Sequence, residues 1–125
     1  MREVAIIGIG QTPVGEHWNA SLRSLAAEAI HTALSDAGIS QVDALYVGNA
    51  YGATISSQSQ LGALIADFAG LGGIEAFTIE AAEASGGAAL RTGYLAVASG
   101  MVETALVLGV EKSSDMVGTA RTRAR

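Results

Sequence analysis

Apolar residues follow two patterns along this chain, and the two patterns alternate. Four short runs are continuously apolar or rich in β-branched and aromatic residues, which is typical of strands covered on both faces of a parallel sheet. These runs lie at residues 4–9, 44–47, 77–79 and 104–110.

Three longer segments between the runs have the spacing of amphipathic helices. The clearest covers residues 21–37, where apolar side chains recur three and four positions apart and Gly38 supplies a stop signal. The second covers residues 58–69, and the third runs from a bend at Glu83 to Gly100. This alternation predicts a layered α/β fold with a mainly parallel sheet and crossover helices.

The chain has the length of one domain, which we place at residues 1–112. The hydrophobic period is lost after Val110, so we expect residues 113–125 to form a loop or a frayed tail. The helical segment 88–98 is apolar around most of its circumference. Because a single sheet covers one side of such a helix, we expect a further layer from a second polypeptide, a second copy or a longer chain.

The composition narrows the classes of function. A net charge of −5, with a single basic cluster at Arg121, Arg123 and Arg125, argues against nucleic-acid binding, and we expect that cluster to be a solvated chain end. No apolar stretch reaches the roughly 20 residues of a membrane span, so we expect no membrane partner and a cytoplasmic location. The absence of cysteine excludes disulfides and thiolate catalysis in this chain, and no ligand cluster predicts a metal site.

Residues 79–100 are the most informative about chemistry, because they read as a buried strand that turns sharply into a helix at Glu83. The free amides of a helix start favour a negative charge. The small residues Ser85, Gly86 and Gly87 allow the chain to bend closely at this point. Glu83 is therefore the candidate catalytic residue.

The same segment resembles the thiolases. They carry a nucleophilic cysteine in the pattern E-A-A-C-A-S-G-G-A-A-L, and residues 80–90 read E-A-A-E-A-S-G-G-A-A-L. Further similarity lies in residues 4–15 (VAIIGIGQTPVG), 43–50 (DALYVGNA), 61–73 (LGALIADFAGLGG) and 105–115 (ALVLGVEKSSD). The chain looks most like the N-terminal half of the sterol-carrier-type and archaeal acetyl-CoA acetyltransferase branch, with Glu83 at the cysteine position.

The resemblance implies a fold, an activity and partners. The fold would be one half of a five-layered αβαβα module, and the activity would be acyl-CoA C-acyltransfer, in which β-ketoacyl thioesters are condensed or cleaved. Acyl-CoA would be the substrate, and we expect no cofactor to be bound by this chain alone. The implied partners are a complementary C-terminal half, a twofold-related copy and a small zinc-containing OB-fold protein.

Thiolases draw their activating histidine, their second cysteine and most coenzyme A contacts from regions that would follow residue 125. No cofactor-binding residue is therefore assigned here. Glu83 departs from the family pattern, since a carboxylate is a weak nucleophile toward a thioester and a mixed anhydride hydrolyses readily. We expect this chain alone to be incompetent in acyl transfer.

Several roles for Glu83 remain open at this stage. It could mimic the acylated or charged state of the family nucleophile, polarise a bound water, or cap the helix in a retired site, and the last is favoured because structural carboxylates at helix starts are common. The protein would then be a non-catalytic interaction or scaffold protein of thiolase fold. Alternatively, the carboxylate could assist thioester hydrolysis or the decarboxylation of a β-keto acid.

Other candidate groups are weaker. Gly8 and Gly10 resemble a dinucleotide fingerprint, but Pro13 replaces its third glycine, so we expect a packing role. Ser85 has half of the serine-hydrolase elbow pattern and is expected to bond to helix-start amides. We expect His17 and His31 to have local structural roles. The pair of Glu80 and Glu83 is not assigned as an acid and base, because the local pattern changes from strand to helix between them.

Overall fold

The computed structural model describes residues 1–115, in which three strands and four α-helices alternate. The elements in chain order are α1 (Leu22–Ala37), β1 (Ala44–Gly48), α2 (Gly52–Ile55), α3 (Leu61–Phe68), β2 (Glu75–Ile79), α4 (Ser85–Ala98) and β3 (Ala105–Gly109). A 3-10 helix, Ser113–Asp115, follows β3. The remainder of the predicted tail, residues 116–125, lies outside the described residues.

The three strands form a parallel sheet in the order β2-β1-β3. Gly48 at the end of β1 is in register with Ile79 of β2 and Gly109 of β3, so the carboxyl ends of the strands are level. Helices α1 and α3 pack on one face of the sheet and α4 packs on the other. The predicted layered α/β fold with a mainly parallel sheet is thereby confirmed.

Helix α1 forms where its periodicity predicts. The Ser21 hydroxyl caps its start by accepting a hydrogen bond from the Ser24 amide, and Gly38 ends it in the left-handed conformation with φ 72°. The apolar stripe is buried against the sheet and α3, and its members are Leu22, Leu25, Ala26, Ile30 and Leu34. A short polar cap and an apolar stripe were therefore sufficient to predict this element.

The strand predicted at residues 4–9 was wrong. This segment belongs to no strand or helix of the described chain, and its isoleucines Ile6, Ile7 and Ile9 are exposed. It lies against α1, where a Cβ at Gly8 would be 2.6 Å from the Ala33 carbonyl oxygen. A β-branched run favours extended backbone, but a strand also needs a neighbouring strand with which its backbone can form hydrogen bonds.

Arg2, just before that segment, is bound to residues at and just after the end of α4. Its guanidinium donates to the carbonyl oxygens of Val97 and Val102, each at 2.9 Å, and pairs with Glu103 at 2.9 Å. The Arg2 amide also donates to the Ala98 carbonyl at the end of α4. Carbonyl groups that α4 leaves unpaired at its end are thus satisfied by the N-terminal segment.

The second predicted helix is shorter than expected. Residues 58–60 are not helical, α3 begins at Leu61, and the four-residue α2 precedes them. Phe68, which ends α3, is 48% exposed with the Arg23 guanidinium carbon 5.3 Å from its ring centre. A single helical turn such as α2 has too few residues to establish a hydrophobic period.

Among residues 1–115, helix α4 is covered on one side. Ala89, Gly93 and Ala98 are buried against the sheet, whereas Leu90 and Tyr94 are 52% and 49% exposed. The sheet therefore shields one face of the helix, as the sequence predicted for this part of the fold. Among the helices of residues 1–115, none is long and apolar enough to cross a membrane.

Candidate functional site

A cleft of about 380 Å³ opens at the carboxyl ends of the parallel strands. In parallel α/β sheets this edge is where ligands usually bind, because loops and helix starts converge there. The residues that matter for its chemistry are Gly48, Tyr51, Glu83, Ser85, Gly109 and Glu111. They come from three separate parts of the chain that the sheet brings together.

Glu83 lies in the turn between β2 and α4, as the sequence predicted. The preceding residue, Ala82, has a positive φ of 49°, a conformation that costs a residue with a Cβ roughly 1 kcal/mol or more. Ser85 braces this turn, because its buried hydroxyl accepts from the Ala81 amide at 2.9 Å and donates to the Ala82 carbonyl at 2.6 Å. The turn therefore holds the exposed Glu83 side chain at the mouth of the cleft.

The Glu83 carboxylate accepts a hydrogen bond from the Tyr51 hydroxyl, with 2.5 Å between the two oxygens. An O–H donor to a charged acceptor gives a hydrogen bond of this length and roughly twice the strength of a neutral pair. Tyr51 is 32 residues away in sequence and half-buried in the loop that follows β1. Two strand ends thus contribute one hydrogen-bonded pair of side chains.

The loop that carries Tyr51 is itself fixed to the neighbouring strand. The Glu111 carboxylate, just after β3, accepts hydrogen bonds from the amides of Ala50 and Tyr51. Asn49 is 5% exposed, and its side chain donates to the Val110 carbonyl and accepts from the Gly52 amide, each at 2.8 Å. These bonds join the ends of β1 and β3 and orient the Tyr51 loop toward Glu83.

Glycine sets how closely α4 approaches the sheet. A Cβ at Gly48 would lie 2.4 Å from the Ser85 carbonyl oxygen, so only glycine permits the observed contact. On the cleft side, a Cβ at Gly86 would meet nothing within 4 Å. The first turn of α4 therefore rests directly on β1, and the space beside it is open.

The electrostatic setting favours an anion near Glu83. Helix α4 has 14 residues and begins two positions after Glu83, so the positive end of its dipole faces this carboxylate.

A second tyrosine near α4 has a different role. On the face of the sheet that α4 covers, burial and a hydrogen bond to Glu75 raise the pKa of Tyr46 to about 12. That tyrosine is buried under α4 and serves the core, whereas Tyr51 faces the cleft.

The other predicted groups have local roles. His17 pairs with the Pro13 carbonyl at 2.6 Å and His31 with the Ala69 carbonyl at 3.2 Å. Neither lines the cleft, and Trp18 beside His17 is 60% exposed. Gly10, like Gly8, approaches the backbone of α1, with a Cβ position 2.5 Å from the Ala29 carbonyl oxygen, which confirms the packing role.

The Ser85 expectation was partly wrong, because its hydroxyl bonds to the turn at Ala81 and Ala82. A hydroxyl committed to two backbone groups and buried to 4% exposure is a structural brace. Glu80 is exposed and does not line the cleft with Glu83. Among residues 1–115, no group of three or more histidine, aspartate or glutamate side chains could hold a metal ion.

Comparison with known proteins decides the family. The family model described as "Thiolase, N-terminal domain" matches residues 4–125. The chain belongs to the thiolase family. Two curated acetyl-CoA acetyltransferases resemble it over 119 residues, or 94% of this thiolase chain: that of Methanothermobacter thermautotrophicus is 47% identical and that of Methanocaldococcus jannaschii is 49% identical.

This thiolase chain spans 31% and 30% of the length of those two relatives. Solved structures agree on the fold. The 3-oxoacyl-[acyl-carrier-protein] synthase III of Aquifex aeolicus superposes with a TM-score of 0.70 at 25% identity, covering 80% of this chain and 32% of that one. The corresponding synthase of Pseudomonas aeruginosa gives 0.68 at 28% identity, covering 85% and 33%.

Three residues of the site were not predicted from the sequence: Asn49, Tyr51 and Glu111. Their signal was positional, because polar residues directly after buried strands converge at one edge of a parallel sheet. Together with Glu83 they give the thiolase chain a carboxylate whose orientation is set by a hydroxyl and whose supporting loop is fixed by backbone hydrogen bonds. Such a carboxylate can accept a proton, polarise a bound water or hold a donor group of a ligand.

Proposed function

We propose that this chain forms one side of an acyl-CoA site in a thiolase-family protein and that Glu83 stands at the position of the family nucleophile. The whole protein would act on acyl thioesters, which at the family level are condensed or cleaved. The observation that supports this most directly is the placement of Glu83. It lies at a strained turn, beside the start of α4, in the cleft where the parallel strands end.

In this proposal residue 83 does not form an acyl-enzyme. A carboxylate that attacked a thioester would give a mixed anhydride, which is prone to hydrolysis, so transfer of the acyl group to carbon would be inefficient. This chain alone would therefore lack acyltransferase activity. The Tyr51 hydroxyl donates a hydrogen bond to the same group that would have to attack, which further lowers the nucleophilicity of that carboxylate.

The partners follow from the exposed apolar surface. The outer side of α4, with Leu90 and Tyr94, would be covered by a complementary C-terminal half. The edge strand β2, with Phe77 53% exposed, would contact a second copy. The zinc-containing OB-fold partner rests on the resemblance alone.

The test uses the complete protein that contains this chain. Calorimetry with acetyl-CoA is expected to show binding, and mass spectrometry after incubation is expected to show no acetyl adduct on the parent. Glu83→Cys is expected to gain the adduct and cleave acetoacetyl-CoA, whereas the size-matched Glu83→Gln gains neither. Absence of acetyl-CoA binding by the parent would refute the proposal and leave a scaffold of thiolase fold.

A second candidate function is carboxylate-assisted hydrolysis or decarboxylation of a thioester substrate. The hydrogen bond between Tyr51 and Glu83 favours it, since it orients a carboxylate in an open cleft. Release of free coenzyme A by the parent, lost in Glu83→Ala, is the expected result for hydrolysis. Loss of carbon dioxide from malonyl-CoA would instead indicate decarboxylation.

A further inference from the structure

The pair formed by Tyr51 and Glu83 has a geometry that suits proton transfer from carbon. We propose that Glu83 is a general base that removes a proton from the carbon α to the thioester carbonyl of a bound acyl-CoA, with Tyr51 as its positioning residue. This inference rests on the proposed function, because it needs an acyl thioester in the cleft. It assigns to residue 83 a reaction that does not require nucleophilic attack.

The first argument is the way the carboxylate is held. A side chain as flexible as glutamate loses reactivity if it samples many rotamers, and a general base must reach a defined proton. The Tyr51 hydroxyl fixes one carboxylate oxygen at 2.5 Å. Glu111 and Asn49 in turn hold the Tyr51 loop through its backbone and through the Val110 carbonyl. The base is therefore oriented from outside its own turn.

The second argument is the backbone at the turn. Ala82 has φ 49°, and the Ser85 hydroxyl forms hydrogen bonds with two backbone groups of the turn. Strained backbone persists where the surrounding structure determines it, and it is concentrated at functional sites. Here the strained residue directly precedes Glu83, so the strain sets the direction in which the carboxylate leaves the turn.

The third argument is the space and field beside the carboxylate. Gly86 leaves the cleft side of α4 without side-chain atoms, since a Cβ there would have no neighbour within 4 Å. A flat thioester needs such an opening. Proton removal converts the acyl group into an enolate, and the anion then stays near the positive end of the α4 dipole that previously faced the carboxylate.

The step is balanced without a further reactant. The Glu83 carboxylate takes the proton from the α carbon, the C–H electron pair becomes the enolate π bond, and the thioester carbonyl oxygen becomes the enolate oxygen. The carboxylic acid formed on Glu83 then returns a proton to the same carbon. In heavy water it returns a deuteron after exchange with solvent, so the turnover is visible without any net reaction.

The experiment follows deuterium incorporation into the methyl group of acetyl-CoA by nuclear magnetic resonance, with the complete protein in heavy water. The parent is expected to accelerate exchange over buffer. Glu83→Gln, which keeps the size and the acceptor oxygen, is expected to lower the enzymatic rate by about 100-fold or more, as removal of a general base does. Its acetyl-CoA dissociation constant is expected to change by less than about fivefold, because one neutral hydrogen bond contributes about 1 kcal/mol or less to binding.

Tyr51→Phe separates positioning from a structural role. Loss of one hydrogen bond to a charged carboxylate, about 1.5–3 kcal/mol, is expected to slow exchange roughly tenfold or more. It is also expected to move the acidic limb of the pH–rate profile to higher pH, because a hydrogen bond to the charged form of a carboxylate favours that form. A purely structural tyrosine would change the unfolding midpoint and leave the profile in place. Trp18→Phe, which changes an exposed aromatic side chain outside the cleft, is the control and keeps the parent rate.

The failures are distinguishable. If acetyl-CoA binds and Glu83→Gln exchanges at the parent rate, the base lies elsewhere and this inference is overturned while the proposed function stands. If the parent does not bind acetyl-CoA, the proposed function falls and the inference falls with it. If Tyr51→Phe keeps both the rate and the profile, the positioning role is overturned.

Discussion

Substitution of Gly48 by alanine tests how the site is attached to the sheet. The added Cβ would lie 2.4 Å from the Ser85 carbonyl oxygen and 2.8 Å from the Gly86 amide nitrogen. Ordinary contacts begin at 3.4 Å, so the first turn of α4 must move away from β1 by about 1 Å. Neither neighbour is the flexible end of a side chain, because both belong to the backbone of a helix start.

The cost can be bounded from two opposing effects. Overpacking of this kind destabilises by about 1–3 kcal/mol, whereas replacing glycine by alanine restricts the unfolded chain and returns about 0.4–1 kcal/mol. We expect a net loss of roughly 1–2 kcal/mol in the free energy of unfolding. Because Glu83 and Ser85 move with the helix start, acetyl-CoA binding should weaken as well.

Urea unfolding of the complete protein measures the first effect, and calorimetry measures the second. Gly72→Ala is the matched control, since its Cβ meets nothing within 4 Å and its backbone is not in the positive-φ region. That change is expected to stay within about 0.5 kcal/mol of the parent. Equal stability and equal ligand affinity for the two variants would show that the close approach at Gly48 does not hold the site.

Three further predictions concern the supporting structure. Burial and the hydrogen bond to Glu75 raise the pKa of the Tyr46 hydroxyl from its ordinary value of 10.0 to about 12, so its stabilising effect is complete below pH 10 and is lost as the pH rises toward 12. The free energy of unfolding should fall by up to about 3 kcal/mol over that window, and Tyr46→Phe should flatten the decline. Asn49→Ala leaves the buried Val110 carbonyl and Gly52 amide unpaired, so urea unfolding should report a loss of about 2–3 kcal/mol; a loss below 0.5 would contradict the bridging role. Phe77→Asp should convert the complete protein to a smaller species in light scattering with an unchanged circular dichroism spectrum, and an unchanged mass would remove β2 as the contact between copies.

The fold was largely predictable because its signals are local. The apolar stripe and caps of α1 and the strand-to-helix change before Glu83 are each encoded within a few turns of the sequence. The segment at residues 4–9 shows the limit of such signals. Its β-branched run favours a strand, but pairing depends on whether another strand lies beside it, and Gly8 instead brings it onto α1.

The site was predictable only in part, for the same reason. Glu83 could be placed because its own turn determines its position. Tyr51 could not, because the loop after β1 must bend so that its hydroxyl reaches a residue 32 positions away. That bend depends on Glu111 and Asn49, whose hydrogen bonds form only after β3 has joined the sheet. Long-range geometry of this kind leaves no pattern in a local window.

Arg2 binds residues that lie much later in the chain, and this has a consequence for protein synthesis. Its contacts at Val97, Val102 and Glu103 are separated from it by about a hundred positions. Translation adds roughly 5–20 residues per second, so Arg2 is synthesised several seconds before the residues that it contacts. Until then only α1 is available to hold residues 4–9, so the contacts of Arg2 are among the last long-range contacts of the described residues that can form.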